Sequence, residues 1–190
     1  MNQSARILLA LVAGVSLLLS GCSAPGQGKD SDKDPTTAAS ASSQATDCPT
    51  KGTGPFAMTS FVTDVGLVAG TFYRYVTEPH QQGRFAAGAT GRDSAILKAG
   101  MVAAIDTKLV QNAIEKAKAV PELCEALVGP LSDLAAGLPR LRQQLNSGDL
   151  EIVTRIQKQI TSVMEIAGRN GMPITPNSDL QAASNAQKTS

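Results

Sequence analysis

An all-α domain is what the sequence predicts, on three observations. Apolar residues recur at intervals of three and four over most of the chain from Pro55 to Ala167, and no stretch alternates apolar and polar residues as a half-buried strand would. The links between the periodic stretches are short, which favours antiparallel neighbours. The expected arrangement is an antiparallel four-helix bundle with a broken third helix, preceded by a disordered tether.

The first helix is expected over about 55–78. Met58, Phe61, Val65, Val68, Phe72 and Val76 form its apolar stripe, with Ser60, Thr63, Asp64, Thr71 and Arg74 outside it. Pro55 suits its first turn, and Glu78-Pro79 is expected to stop it. Gly66 and Gly70 form a GxxxG pair, read as a close-packing face within the bundle. Asp64, Arg74 and the polar stripe argue against a transmembrane helix.

A Gly- and Ala-rich loop, Gln81 to Gly91, leads to a second helix over about 93–119, with Asp93 or Ser94 as N-cap. Pro121 allows a short helix over 121–128, and Gly129-Pro130 restarts the chain again. Leu131, Leu134, Leu138, Leu141 and Leu145 continue the spacing across Gly137 and Pro139, which should kink or split that helix. Asp149 is expected to cap a last helix reaching about 169, with Ile152, Ile156, Ile160, Val163 and Ala167 buried. Beyond Gly171 the chain turns polar, and 173–190 reads as a disordered tail.

The N-terminus reads as an address. Met1 to Arg6 is weakly positive, Ile7 to Leu19 is an apolar run, and Ser20 and Gly21 are small, which is the layout of a secretory signal peptide over 1–21. The run is too short to span a bilayer comfortably. Leu19-Ser20-Gly21-Cys22 resembles the lipobox of bacterial lipoproteins. The resemblance implies cleavage before Cys22, a diacylglyceryl thioether on its sulfur and acyl chains of the palmitate class. It also implies a lipid-anchored protein facing outside the cytoplasm, with the membrane as a partner through Cys22. Several acyl chains on one residue hold stably where one does not. The alternative is ordinary cleavage after Cys22 and a free secreted protein.

Residues 22–47 carry no large apolar side chain after Cys22 and form the linker. As a flexible coil it spans about 25–30 Å, enough to lift a small domain off the headgroups. Asp30-Ser31-Asp32-Lys33-Asp34 imitates the start of a calcium loop, but Pro35 and Ala41 stand where Gly and Glu are needed. The folded domain is then 48–172.

Composition excludes several functions. Of 17 Lys+Arg only Arg6 falls within 1–21, leaving 16 against 16 Asp+Glu, so the mature chain is formally neutral and nucleic acid is not an expected partner. A single His rules out multi-histidine zinc sites and the HExxH motif, and no metal or cofactor is expected. No GxSxG elbow, phosphate loop or CxxC pair is present. With Cys22 lipidated, two thiols remain. In an up-down bundle Cys48 and Cys124 sit at the same end, which predicts a disulfide between them.

Two places invite suspicion. Asp106 has Val102, Ala103, Leu109 and Val110 as its helical neighbours, so it projects from an apolar face. A buried carboxylate must be paired, protonated or hydrogen-bonded. In the antiparallel drawing it lies level with Val65 and Ile156, with Arg155 or a first-helix threonine as partner. The second place is FYRYVTEPHQQGRF, Phe72 to Phe85, which gathers aromatics, two arginines and the only histidine at a helix end. Tyr73, Tyr75, His80 and Arg84 are its candidate binding residues, beside the plainer reading that they serve packing and helix termination. Tyr73-Arg74-Tyr75, Arg84-Phe85 and Gly91-Arg92 loosely resemble small helical exported proteins of high-GC Gram-positive bacteria, a resemblance that implies no activity.

The expected function is a non-enzymatic, lipid-anchored module that binds another cell-envelope protein or lipid through residues 72–92. Two rivals are a carrier of a small apolar or lipid ligand inside the bundle, with Asp106 on its cavity, and a hydrolase or transferase using His80 and an acid.

Overall fold

The computed structural model describes residues 48–51 and 55–188. The expected signal peptide, Cys22 and the expected linker up to residue 47 lie outside the described residues. Among those described there are helices and no strand, as the spacing predicts. Helix α1 (Pro55–Phe72) runs through a π-helical turn (Tyr73–Thr77) into α2 (Glu78–Gln81). Then follow α3 (Arg92–Lys118), α4 (Pro121–Gly137), a 3-10 turn (Leu138–Arg140), α5 (Leu141–Ser147), α6 (Glu151–Arg169) and α7 (Leu180–Ala186). Helix α1 packs on α3, α3 on α4 and α5, α4 on α6, and α6 on α1.

The apolar stripes sit where their spacing puts them. Ile152, Ile156, Ile160, Val163 and Ala167 of α6 are buried, as are Leu131, Leu134, Leu138, Leu141 and Leu145. Met58 alone departs from the α1 stripe and is partly exposed. The more informative departure is Asp64 and Thr71, expected outside the stripe and both buried. From Asp64 to Phe72 every residue is buried, because α1 is covered by α3, by α6 and by the C-terminal segment. The stretch Phe56–Gln81 is long and apolar enough to cross a membrane, yet 56% of its most apolar window is buried inside the fold, as suits a central helix.

Two proline-based boundaries are corrected, and a third stands as expected. Pro79 does not end the first helix; it enters α2 behind the π turn. In an α-helix a proline ring clashes with the carbonyl four residues back, here that of Tyr75; the turn leading into Pro79 is instead the wider π form, in which the Glu78 N–H donates to the Tyr73 carbonyl. Pro130 lies inside α4 and does not restart the chain. The cost of an interior proline, about 3 kcal/mol, is offset by buried Leu127, Val128, Leu131 and Leu134, while Gly129 faces outward. The interruption falls at Leu138–Arg140, around Pro139.

Two caps also differ. Helix α3 starts at Arg92 behind Gly91, whose φ of 74° no side chain cap accompanies, so neither Asp93 nor Ser94 is the N-cap. Asp149 acts one residue before the N-cap Leu150 of α6, its carboxylate accepting the Glu151 N–H at 3.1 Å.

The segment after Gly171 is not a loose end within the described residues. Met172 is buried and its N–H donates to the Ala167 carbonyl, turning the chain back over α6. Asn177 N–H then donates to the Gly66 carbonyl at 2.8 Å. An added Cβ would stand 2.7 Å from the Thr175 carbonyl oxygen at Gly66 and 2.1 Å from the Asn177 carbonyl carbon at Gly70. The GxxxG face therefore receives an extended segment and not another helix. Asp179 caps α7 through the N–H groups of Gln181 and Ala182, Ala183 is fully buried, and the Gln187 amide donates to the Ile105 carbonyl. A seven-residue helix is marginal alone, so packing on α1 and α3 holds it.

Cys48 and Cys124 form the expected disulfide, with Cα atoms 5.6 Å apart. It ties the chain ahead of α1 to the first turn of α4.

Candidate functional site

The Phe72–Phe85 stretch splits into two surfaces. The π turn has one more residue per turn than the α-helix around it, which leaves Tyr73 and Arg74 exposed while Val76 and Thr77 are buried. Tyr75 and Arg84 line a cleft of about 490 Å³ with Arg74, Glu78 and Gln82 on one wall and Gly91, Ser94 and Lys98 of the α3 start on the other. Tyr73 faces elsewhere, into an apolar groove of about 500 Å³ with Phe72, Ile160, Met164 and Ile174. His80 is half-buried and lines neither; its Nδ1 is buried without a partner among the described residues.

The loop between these walls is held in shape. Gly83, Gly88 and Gly91 adopt positive φ, which glycine takes without strain. Phe85 is buried and anchors the loop, and Arg92 donates to the carbonyls of Phe85 at 3.0 Å and Leu145 at 2.7 Å. The cleft wall carrying Arg84 is thereby fixed to the end of α5.

Asp106 belongs to neither surface. It is fully buried in the α1–α3 contact, and its Oδ1 is 2.7 Å from the Thr71 hydroxyl oxygen, which is itself 2.6 Å from the Leu67 carbonyl. Its partner is the first-helix threonine, and Thr71 in place of a residue level with Val65. Arg155 is exposed and lines a separate small pocket with Asp133, Arg140 and Gln159. Burial pushes the Asp106 carboxyl well above the ordinary carboxylate range, the Thr71 hydrogen bond opposing it. One hydroxyl hydrogen cannot serve both Leu67 and Asp106 fully. A protonated Asp106 donating to Thr71, with Thr71 donating to Leu67, uses every hydrogen and leaves only Oδ2 unpaired. His80 lies roughly two and a half turns beyond Thr71 along α1 and α2, so it and Asp106 do not form an acid–base pair.

A second buried acid was not singled out by the sequence. Asp64 pairs with Lys116 of α3 at 2.5 Å, with the Lys116 side chain 26% exposed. Burial raises its carboxyl, and the hydrogen bond and charge of Lys116 pull it back. The available signal was a charged residue followed at once by Val65, Gly66, Leu67, Val68 and Ala69, which a helix cannot keep in water on one narrow stripe. No group of three His, Cys, Asp or Glu fit to hold a metal occurs among the described residues.

No family model, curated protein or solved structure matches this chain.

Proposed function

We propose that this protein is a bacterial lipoprotein, anchored through acylated Cys22 on the outer side of a cell membrane, whose helical domain binds another envelope component without catalysing a reaction. Within the domain, α1 with α2, α3, α4 with α5, and α6 are read as the antiparallel four-helix bundle, its third member broken at Leu138–Arg140. The ring of packing from α1 through α3, α4 and α6 back to α1 supports that reading.

The observation that carries the binding role is the cleft of Arg74, Tyr75 and Arg84, formed between the π turn, the loop that follows and the start of α3, and left uncovered by any described element. Exposed Arg74 and Arg84 beside half-buried Tyr75, with the Arg84 loop fastened by buried Phe85 and by Arg92, suit recognition better than packing. The test has two parts. Labelling with a radioactive fatty acid should mark the protein and fail with Cys22→Ser, which should also shed the chain from the membrane. Affinity purification from detergent-solubilised envelopes should recover a component that is lost with Tyr75→Ala and Arg84→Ala at unchanged melting temperature. A partner retained by both variants counts against this cleft.

The apolar groove beside Tyr73 favours a second reading, a carrier of a lipid chain lying against Phe72, Ile160 and Met164. Native mass spectrometry of protein taken from its own membranes would show the added mass, and Ile160→Glu should remove it.

A further inference from the structure

We infer that the cleft between the π turn and the start of α3 binds a phosphate group. This rests on the reading of that cleft as the binding surface and names the chemistry it takes. Arg74, Arg84 and Lys98 all line it, on three different segments of the chain. None of the three forms an ion pair among the described residues, where the pairs are Lys116 with Asp64 and Lys118 with Glu115. The only acid on the lining is Glu78, and it already accepts from the Gln82 amide at 3.4 Å, while Gln82 in turn accepts from Arg84 Nε. Arg84 keeps its terminal guanidinium nitrogens for a ligand.

Three cations against one acid give the cleft a local excess of positive charge on a chain whose mature part is formally neutral. An excess of that kind raises the local potential and attracts an anion. Ser94 and Tyr75, both residues with a hydroxyl, also line the cleft, and the positive end of the α3 dipole adds to the same field. Two guanidiniums offer paired donors matching a tetrahedral oxyanion, and the ammonium supplies a point charge. The opening of about 490 Å³ admits a headgroup or a phosphorylated sugar and is too small for a folded domain.

The phosphate has two sources, an anionic phospholipid headgroup or a free phosphate-bearing molecule. The experiment uses the full mature chain with Cys22→Ser, so that no acyl chain holds it to a bilayer. One arm measures co-flotation with phosphatidylcholine vesicles with and without phosphatidylglycerol; the other titrates inorganic phosphate and glycerol 1-phosphate by calorimetry. Binding to the phosphatidylglycerol vesicles alone assigns the headgroup, and binding of the free phosphates assigns the soluble source. In either case Arg74→Gln with Arg84→Gln and Lys98→Gln should weaken binding by at least about tenfold, and added salt should weaken it too. A control carrying Lys108→Gln, Lys158→Gln and Arg169→Gln removes the same charge elsewhere. Absence of binding in both arms, or equal loss in the control, overturns the inference. Fatty-acid labelling of Cys22 and recovery of an envelope partner are read separately, so failure here leaves the proposed function distinguishable.

Discussion

Asp106→Asn should make this domain more stable at neutral pH, an unusual result for a change at a fully buried residue. The native carboxyl is fully buried, has the Thr71 hydroxyl as its one hydrogen-bond partner among the described residues, and is pushed well above the ordinary range by loss of water. In the unfolded chain it titrates near about 4. Between that value and the raised native value, the folded state holds a proton that the unfolded state has released. Stability contributed by the neutral acid is therefore fully present below about pH 4 and is lost as pH rises, by up to about 1.4 kcal/mol per pH unit, until the native group ionises. Asparagine has the same shape, does not ionise, and can donate its amide hydrogen to Thr71. The stability difference between variant and native protein should thus climb by about 1.4 kcal/mol per pH unit from pH 4 upward and then level off. Asp64 is also raised, but it is present in both proteins and cancels in the difference. Urea unfolding of the domain at intervals from pH 4 to 9 measures it. A difference independent of pH, or a variant several kcal/mol less stable at pH 7, would refute the assignment of a neutral Asp106.

Further outcomes follow from the same packing. Reducing Cys48–Cys124, or replacing both with Ala, should cost about 4–5 kcal/mol by releasing a loop of sequence separation 76, read as a lower urea midpoint in reductant. Gly70→Ala places a methyl 2.1 Å from the Asn177 carbonyl carbon, so the C-terminal segment should be displaced; about 2 kcal/mol of lost stability and faster proteolysis within 173–188 are expected. Lys116→Met leaves the buried Asp64 unpaired at a cost of about 2 kcal/mol, below the range for a fully buried pair because Lys116 is partly exposed. Since Lys116 lowers the Asp64 carboxyl, its loss raises that group further, and the deficit should widen once pH rises past the native protein's own raised Asp64 value, where the native group ionises and the variant's still holds its proton, in a denaturation series.

Much of this molecule is legible in one dimension. The Ile152 to Ala167 stripe and the leucines from Leu131 to Leu145 are buried as spaced, because a helix maps sequence intervals directly onto faces. Asp106 stands out for the same reason, and Cys48 and Cys124 meet because the starts of α1 and α4 share an end. Tyr75 and Arg84 are brought to one cleft, while Tyr73 and His80 are not, since a π turn rotates the register in a way no local pattern announces.

What only the tertiary structure decided are the places where packing outweighs a local preference. Pro130 stays inside α4 because the leucines around it bury more than its missing N–H and ring cost, and Pro79 continues the helix where the turn leading into it takes the wider π form. The spacing of α1 implies one buried stripe, but covering by three neighbours buries Asp64 and Thr71 as well and forces each to find a partner on α3. The polar C-terminal segment has no periodicity to betray it. It settles on Gly66 and Gly70 because two absent side chains open a groove for its backbone, a complementarity that neither stretch of sequence shows without the other.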